Sequence, residues 1–519
     1  MLTRRQFLKL GAAAGAGLIL PARVRASLGG AEPVKAVSLT ELDDVTVDLL
    51  DPATQPKFEI EVPNALDPSF IFRPRGRRYQ VGMWEKMQDL GLRDADDNSM
   101  PTKIWGYGES QADASFPGKT FVAHTGKRIN VQWSNDLVDS DGNPLPHLLP
   151  VDTSLHWAYA LEGYHGYTIE SNGVPVVPHL HGGHTESNSD GNPEYFWSPY
   201  VNGMRVEGPR FQKTLYHYDN DQEAGTLWYH DHALGITRLN VYAGLAGFYI
   251  LRDDMDTGEP DNPLGLPAFP YEIPLVIQDR MFTTDGQLFY PAFPGDPFYE
   301  GFIDEEGAIL PDEDFPDGGP TALAEFFGDH ILVNGKAWPR MNVERRHYRL
   351  RLLNGSDSRF YVLQLKAAAQ NEDGEWIVPM GSPLPFYQVG TDDGLLASPV
   401  ELTTLVLGPG ERADLVVDFS QVSDGTRMIM ENIGPDAPFG GDFGDDLAEE
   451  DLFPGRQEST LLIMAFDVEG NASVPDSFDP GAKLRPEQYT IAEPEDRVRK
   501  LALFEGTDEY GRLQPLLGV

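Results

Sequence analysis

From about residue 57 onward, apolar and polar residues alternate in short runs that Gly, Pro or Asp interrupts every few positions. Successive side chains of an extended strand point to opposite faces, so this period of two predicts half-buried β-strands. Phe58, Ile60 and Val62 alternate with Glu59 and Glu61; Ile129, Val131 and Trp133 alternate with Arg128, Asn130 and Gln132. Residues 242–251 are instead small and apolar almost throughout, which predicts a buried strand packed closely on the one before it. A second series of strands is predicted over 271–277, 331–335, 348–354, 360–365 and 411–419, the last introduced by the turn Gly408, Pro409, Gly410. Helical periodicity is confined to brief pieces such as 233–239. Together with 42 prolines and 53 glycines, this pattern predicts an all-β chain built of sandwiches or barrels.

The strand series divides into a unit over 45–255 and a second over 256–470. The acidic, Gly- and Pro-rich stretch 434–455 reads as a surface loop inside the second unit. A linker is expected over 471–499, and residues 500–519 open something new with a strand at 500–504. One strand cannot bury its own faces, so the chain is expected to stop where a third unit has scarcely begun.

Composition narrows the chemistry. A length of 519 residues suggests about three domains. There are 40 Lys and Arg against 81 Asp and Glu, a formal charge of -41. Such a surface repels nucleic acid and anionic lipid, so neither is an expected partner. Solubility, including solubility in a salty medium, is explanation enough for the excess. Cysteine is absent, which excludes disulfides, zinc-thiolate sites, iron-sulfur clusters and a catalytic thiol within these residues. At the N-terminus, Thr3, Arg4, Arg5, Gln6, Phe7, Leu8 and Lys9 match the twin-arginine export pattern. An apolar run to Leu20 and a cleavage site at Val24, Arg25, Ala26 complete a signal peptide over 1–26. The chain is therefore expected in the periplasm or outside the cell, with no later stretch approaching ~18 apolar residues.

Two histidine clusters organise the rest: Val177-Pro178-His179-Leu180-His181-Gly182-Gly183-His184 and Trp228-Tyr229-His230-Asp231-His232. Each contains His-x-His beside residues that read as strand, so both rings of a pair project to one side. Two such strands lying together would aim four imidazoles into one volume. Imidazole suits copper, zinc, iron or nickel, and the spacing alone does not choose among them. No Glu adjoins either motif in the manner of a zinc hydrolase. His184 and Asp231 lie inside the motifs, but their spacing turns them toward the other face or a neighbour, and His184 reads as a hydrogen-bonding residue rather than a ligand. His124, His147, His156, His165, His217, His330 and His347 have no paired spacing and read as structural.

With their context through Gly235-Ile236-Thr237-Arg238-Leu239-Asn240-Val241-Tyr242-Ala243-Gly244-Leu245, and with Ile331-Leu332-Val333-Asn334-Gly335-Lys336, these motifs resemble bacterial multicopper oxidases. The nearest subgroup resembles spore-coat laccase, bilirubin oxidase and phenoxazinone synthase. The resemblance implies plastocyanin-like (cupredoxin) Greek-key β-barrels in tandem, two complete plus the first strand of a third. It implies an oxidoreductase that takes electrons from phenols, aromatic amines or metal ions at a type 1 copper. A trinuclear copper cluster then reduces O2 to water. By motif, His179 would ligate the type 2 copper, and His181, His230 and His232 the type 3 pair. Asp190, eleven residues past His179, stands where the family has an acidic residue feeding protons to oxygen. The family's remaining ligands belong to a third-domain motif that this sequence lacks, and a type 1 site needs a cysteine. The expectation is thus half of the trinuclear ligands and no type 1 copper, in a chain truncated before the third domain and inactive alone. The alternatives are a non-catalytic exported cupredoxin that binds copper, or one part of a split oxidase completed by a separate third-domain chain.

Overall fold

The computed structural model describes residues 47–518 apart from 77, 156–165, 304–306, 372–375, 379–380, 475 and 486–499. The signal-peptide expectation, His156, His165 and most of the expected linker therefore lie outside the described residues.

The first eight strands are β1 (Tyr79–Gln88), β2 (Thr102–Gly108), β3 (Gly118–His124), β4 (Ile129–Asn135), β5 (Pro178–His181), β6 (Leu215–Tyr218), β7 (Gly225–Asp231) and β8 (Ala246–Arg252). They form two four-stranded sheets, ordered β2-β1-β4-β6 and β3-β8-β7-β5. Each sheet contains one parallel pair, β1 with β4 and β3 with β8, among antiparallel neighbours. Strands distant in sequence thus lie side by side, as in Greek-key sandwiches. The inward positions of both sheets supply an aromatic core that includes Trp105, Tyr107, Phe121, Trp133, Tyr229 and Tyr249. Burying one such side chain contributes roughly 1.5–3 kcal/mol.

The second series comprises β9 (Glu272–Phe282), β10 (Leu288–Phe289), β11 (His330–Val333), β12 (Lys336–Ala337), β13 (Arg340–Arg345), β14 (His347–Asn354), β15 (Tyr361–Ala367), β16 (Ala369–Gln370), β17 (Trp376–Ile377), β18 (Phe386–Thr391), β19 (Gly394–Leu402), β20 (Leu405–Leu407), β21 (Arg412–Asp418), β22 (Arg427–Asn432) and β23 (Leu462–Asn471). An eight-stranded sheet around β9, β14 and β21 faces a five-stranded sheet ordered β13-β23-β22-β15-β20. Between them lies the largest apolar core, with Leu350, Leu352, Leu415, Val417, Ile463 and Phe466. The chain is all-β, as its alternation predicts.

Several local expectations are corrected. Residues 58–62 form no strand but a single bridge, Glu61 to Arg340, because Phe58 adopts φ 61° and Pro63 closes the run. The helix expected over 233–239 is instead α1 (Thr237–Ala243), so the strand expected from 242 starts at Ala246. Gly244 ends the helix at φ 130°, and any side chain there would strike the Trp105 carbonyl. The loop over 434–455 is tied down near its start, where Asp436 is buried against the Arg359 guanidinium. The start of the expected linker is anchored too: the Asp476 carboxylate accepts from the His347 backbone N–H and ring Nδ1, both at 2.7 Å. Where one final strand was expected, β24 (Ala502–Thr507) and β25 (Leu513–Gly518) pair as a hairpin.

A buried ionic network joins the two β-units beneath β7. Arg252 donates to Glu272 through two bonds of 2.8 and 2.7 Å. Arg349 pairs with Asp256 and Asp414, and Arg351 with Glu272, Asp256 and Asp414. Thr226 of β7 donates to Asp414 at 2.7 Å, four residues before His230. The strand that carries the second histidine motif is thereby held against the second unit.

Candidate metal centre

Strands β5 and β7 pair antiparallel with His179 opposite His230 and His181 opposite Trp228. Alternation places Leu180 and Tyr229 on the other face, in the aromatic core. The histidines therefore leave the sheet on one side because the apolar residues between them are held on the other. His232 follows the strand, where its backbone N–H donates to the Val177 carbonyl at 2.8 Å.

The four imidazoles converge. Ring centroids lie 5.4 Å apart for His179 and His230, 5.0 Å for His179 and His232, 5.5 Å for His181 and His230, and 5.7 Å for His230 and His232. One ring nitrogen each from His179, His181 and His230 falls within 4.8 Å of the others. Nδ1 of His181 and Nε2 of His230 approach to 3.2 Å.

The outward bonds of these rings decide which nitrogens face the centre. His179 Nδ1 donates to the Asp190 carbonyl, and His230 Nδ1 to the Asp231 carbonyl at 2.7 Å. Each bond fixes the proton on Nδ1 and turns the Nε2 lone pair inward, where that of His230 faces His181 Nδ1 at 3.2 Å; such outward bonds are the usual support of a metal-bound histidine. Nδ1 of His232 is buried without a protein partner. Burial pushes His230 well below the ordinary histidine range, with the neighbouring imidazoles adding to it. Burial likewise lowers His181 to about 4, helped by Arg412, and His232 to about 4, helped by His179. Neutral rings with inward lone pairs fit a borderline cation such as copper.

Asp190 lies beside this group, with its Oδ1 3.6 Å from His179 Nδ1. Burial raises its pKa, opposed by His179. His184 turns outward: its backbone N–H donates to Gln222, and its ring is 3.7 Å from the Asp221 carboxylate. Asp231 points away from the rings into a buried polar network. His124, His147, His217, His330 and His347 all lie apart from the cluster, each with its own polar partner.

Two neighbours of the site were not singled out from sequence. Trp228 stacks on His181 at 5.0 Å between ring centroids and lies tilted by 34° against His230 at 4.2 Å. Its position two residues before His230 already places it on the histidine face. Arg412 comes from β21 and reaches under the turn after His181, where a side chain on Gly182 would meet its Nη2. It is fixed by donating to the Thr226, Gly410 and Asp392 carbonyls at 3.0, 3.0 and 3.1 Å. No spacing rule connects Arg412 to a motif so far upstream; the glycine pair after His181 is the one local hint that something approaches closely.

Comparison with known proteins places this geometry. A family model described as multicopper oxidase matches residues 172–256, which include both histidine motifs. A model of the twin-arginine translocation signal matches residues 1–21, which routes the chain out of the cytoplasm. The chain is 35% identical over 460 residues to a laccase of Bacillus stratosphericus, covering 88% of this chain and 74% of the relative. It is 35% identical over 412 residues to a laccase of Bacillus subtilis (strain 168), covering 79% and 66% respectively. Its fold is similar to that of the McoA multicopper oxidase from Aquifex aeolicus, with TM-score 0.56 and 23% identity over 88% of this chain and 73% of that one.

Proposed function

Because the chain belongs to the multicopper oxidase family, we propose that it is the copper-binding portion of an exported laccase-type oxidoreductase. The observation that carries this reading is the convergence of four imidazoles from two paired strands, three of them with ligand atoms within 4.8 Å. In this reading His179 holds a type 2 copper, and His181, His230 and His232 hold a type 3 pair. Copper held there would supply the electron steps that reduce O2 to water, with the electrons drawn from phenols, aromatic amines or metal ions at a type 1 copper that these residues do not build. The chain's own residues do the rest. The Asp190 and Asp231 carbonyls hold protons on the outer nitrogens of His179 and His230, so that the inner ones stay available. The Asp190 carboxylate, beside His179, is placed to pass on protons, of which reduction of O2 to two waters consumes four.

The domain division at about residue 256, with the hairpin after 500 belonging to a third unit, is part of the same proposal. The 519 residues contain no cysteine, so the thiolate of a type 1 copper has to come from polypeptide outside them. The remaining trinuclear ligands have to come from there as well. The missing thiolate is also what favours the second reading, an exported copper-binding protein without oxidase activity.

Titration of the purified chain with Cu(I) under argon tests the proposal. Copper is expected to bind, binding is expected to fail in His181→Ala and His230→Ala, and after oxidation of the bound copper to Cu(II) no thiolate charge-transfer band is expected. An unmodified chain that takes up no copper would sink the reading. Oxidation of a phenolic dye by these residues alone would overturn the need for outside ligands.

A further inference from the structure

Asp231 sits between two of the metal-facing histidines and points the opposite way, wholly buried. Its carboxylate accepts three N–H bonds: Val177 N at 2.8 Å, Ala233 N at 3.0 Å and Asn240 Nδ2 at 2.7 Å. Val177 precedes β5 and lies two residues before His179; Ala233 directly follows His232; Asn240 belongs to α1. One side chain thus ties together the lead-in to the first motif, the exit from the second, and the helix between β7 and β8.

Asn240 extends the tie. The same Nδ2 donates to the Pro175 carbonyl at 3.1 Å, and Oδ1 is 3.1 Å from His147 Nε2. His147 Nδ1 already accepts the Leu149 N–H at 3.0 Å, so its proton is on Nε2 and points at Asn240. That settles the amide orientation: its oxygen faces His147 and its nitrogen faces Asp231. No atom of the set has an interchangeable role. An amide at 231 would turn an N–H toward another N–H, and a carboxylate at 240 would set two buried anions together.

We propose that Asp231 and Asn240 are positioning residues for the metal centre, holding the two His-x-His segments at the separation and angle that copper requires. The inference rests on the copper reading above. Neither residue touches the metal-facing side, so they act through the backbone of Val177, Pro175 and Ala233. Groups that orient metal ligands from behind typically contribute 10–100-fold to affinity.

The test compares the full 519-residue chain with Asp231→Asn, Asn240→Ala and a control, Tyr242→Phe. Tyr242 lies on the same helix but faces away, donating to the Phe289 carbonyl at 2.7 Å and accepting the Met281 N–H at 2.8 Å. Its replacement loosens α1 without entering the network. Cu(I) affinity is read by competition with a chromophoric chelator, alongside thermal melts. Asn240→Ala and Asp231→Asn are expected to weaken copper binding about 10–100-fold. Tyr242→Phe is expected to lower the melting temperature while binding within about twofold of the unmodified chain. At saturating Cu(II), the electron paramagnetic resonance spectrum of Asn240→Ala is expected to show altered ligand geometry, which simple destabilisation does not produce. Unchanged affinity in both network variants, or equal weakening in Tyr242→Phe, overturns the proposal; should Asp231→Asn not fold, Asn240→Ala decides alone. If the unmodified chain binds no copper, the copper reading itself fails and the positioning role falls with it, an outcome distinct from the others.

Discussion

Gly410 and His181 meet across the boundary between the two β-units: a Cβ on Gly410 would lie 3.3 Å from His181 Cε1. The turn cannot retreat, because the Gly410 N–H donates to the Asn354 carbonyl at 2.8 Å and Arg412 holds the Gly410 carbonyl. Gly410 also sits at φ 78°, where an L side chain costs roughly 1–2 kcal/mol. Gly410→Ala is therefore expected to lower stability by about that amount and to displace the His181 ring. Denaturant melts and copper titration check both effects; a variant with unaltered copper affinity would show that the second unit does not shape the site.

The ionic network below β7 predicts acid sensitivity. Burial opposes ionisation of Glu272 and Asp256, yet Arg252, Arg349 and Arg351 outweigh it and hold Glu272 down to about 2 and Asp256 lower still. A carboxylate whose folded pKa lies below its unfolded value stabilises fully above the unfolded value and loses this as pH falls toward the folded one. The contribution of these two carboxylates is thus expected to be level from about pH 7 to about 5 and to fall between about 4.5 and 2, on top of a loss that begins below about pH 6.5 because burial keeps His181, His230 and His232 neutral in the fold. Arg351→Met, which leaves Glu272 and Asp414 short of a partner, is expected to cost about 3–5 kcal/mol at neutral pH and less near pH 3. Urea melts across this range provide the measurement, and equal losses at both pH values would contradict it.

Salt is expected to stabilise the chain. Among the described residues the buried arginines are matched by buried carboxylates, so the excess of negative charge there lies almost entirely on the surface. Like charges repel over a screening length of about 10 Å at 0.1 M salt and about 3 Å at 1 M. Raising sodium chloride across that interval is expected to raise the melting temperature by several degrees. A flat or falling profile would show that the acidic surface is already relieved by its local pairs.

The hairpin β24–β25 is tethered through Arg512, a buried side chain that donates to Asp152 and, at 2.9 Å, to Thr321. Leu501, Leu503 and Leu517 of the hairpin region are exposed, so few apolar contacts assist. Arg512→Ala removes charge-assisted bonds of about 1.5–3 kcal/mol. Hydrogen exchange over 502–518 is expected to accelerate strongly, while the main transition moves little. Retained protection would mean that contacts other than Arg512 hold the hairpin.

How much of this was legible in the chain depends on the range of the interaction. Period-two alternation reports each strand's own amphipathic face, so most strands and the shared face of each His-x-His pair were readable without coordinates. Where short-range and long-range demands diverge, the reading failed. Residues 58–62 alternate well, but Phe58 is held at φ 61° and the run follows the second unit through one bridge. The helix before β8 shifted toward Gly244, whose close contact with the Trp105 carbonyl no local pattern announces. In the histidine cluster, the sequence alone determined which imidazoles share a face, because side-chain direction on a strand is a local property. Only the tertiary structure decided that β5 and β7 pair in the register that sets His179 against His230. It alone brought Arg412 and Gly410 beside His181, and it alone turned Asp231 and Asn240 into a brace behind the rings. Most of those contacts join residues tens to hundreds of positions apart, and they exist only once packing and buried hydrogen bonds have selected one register.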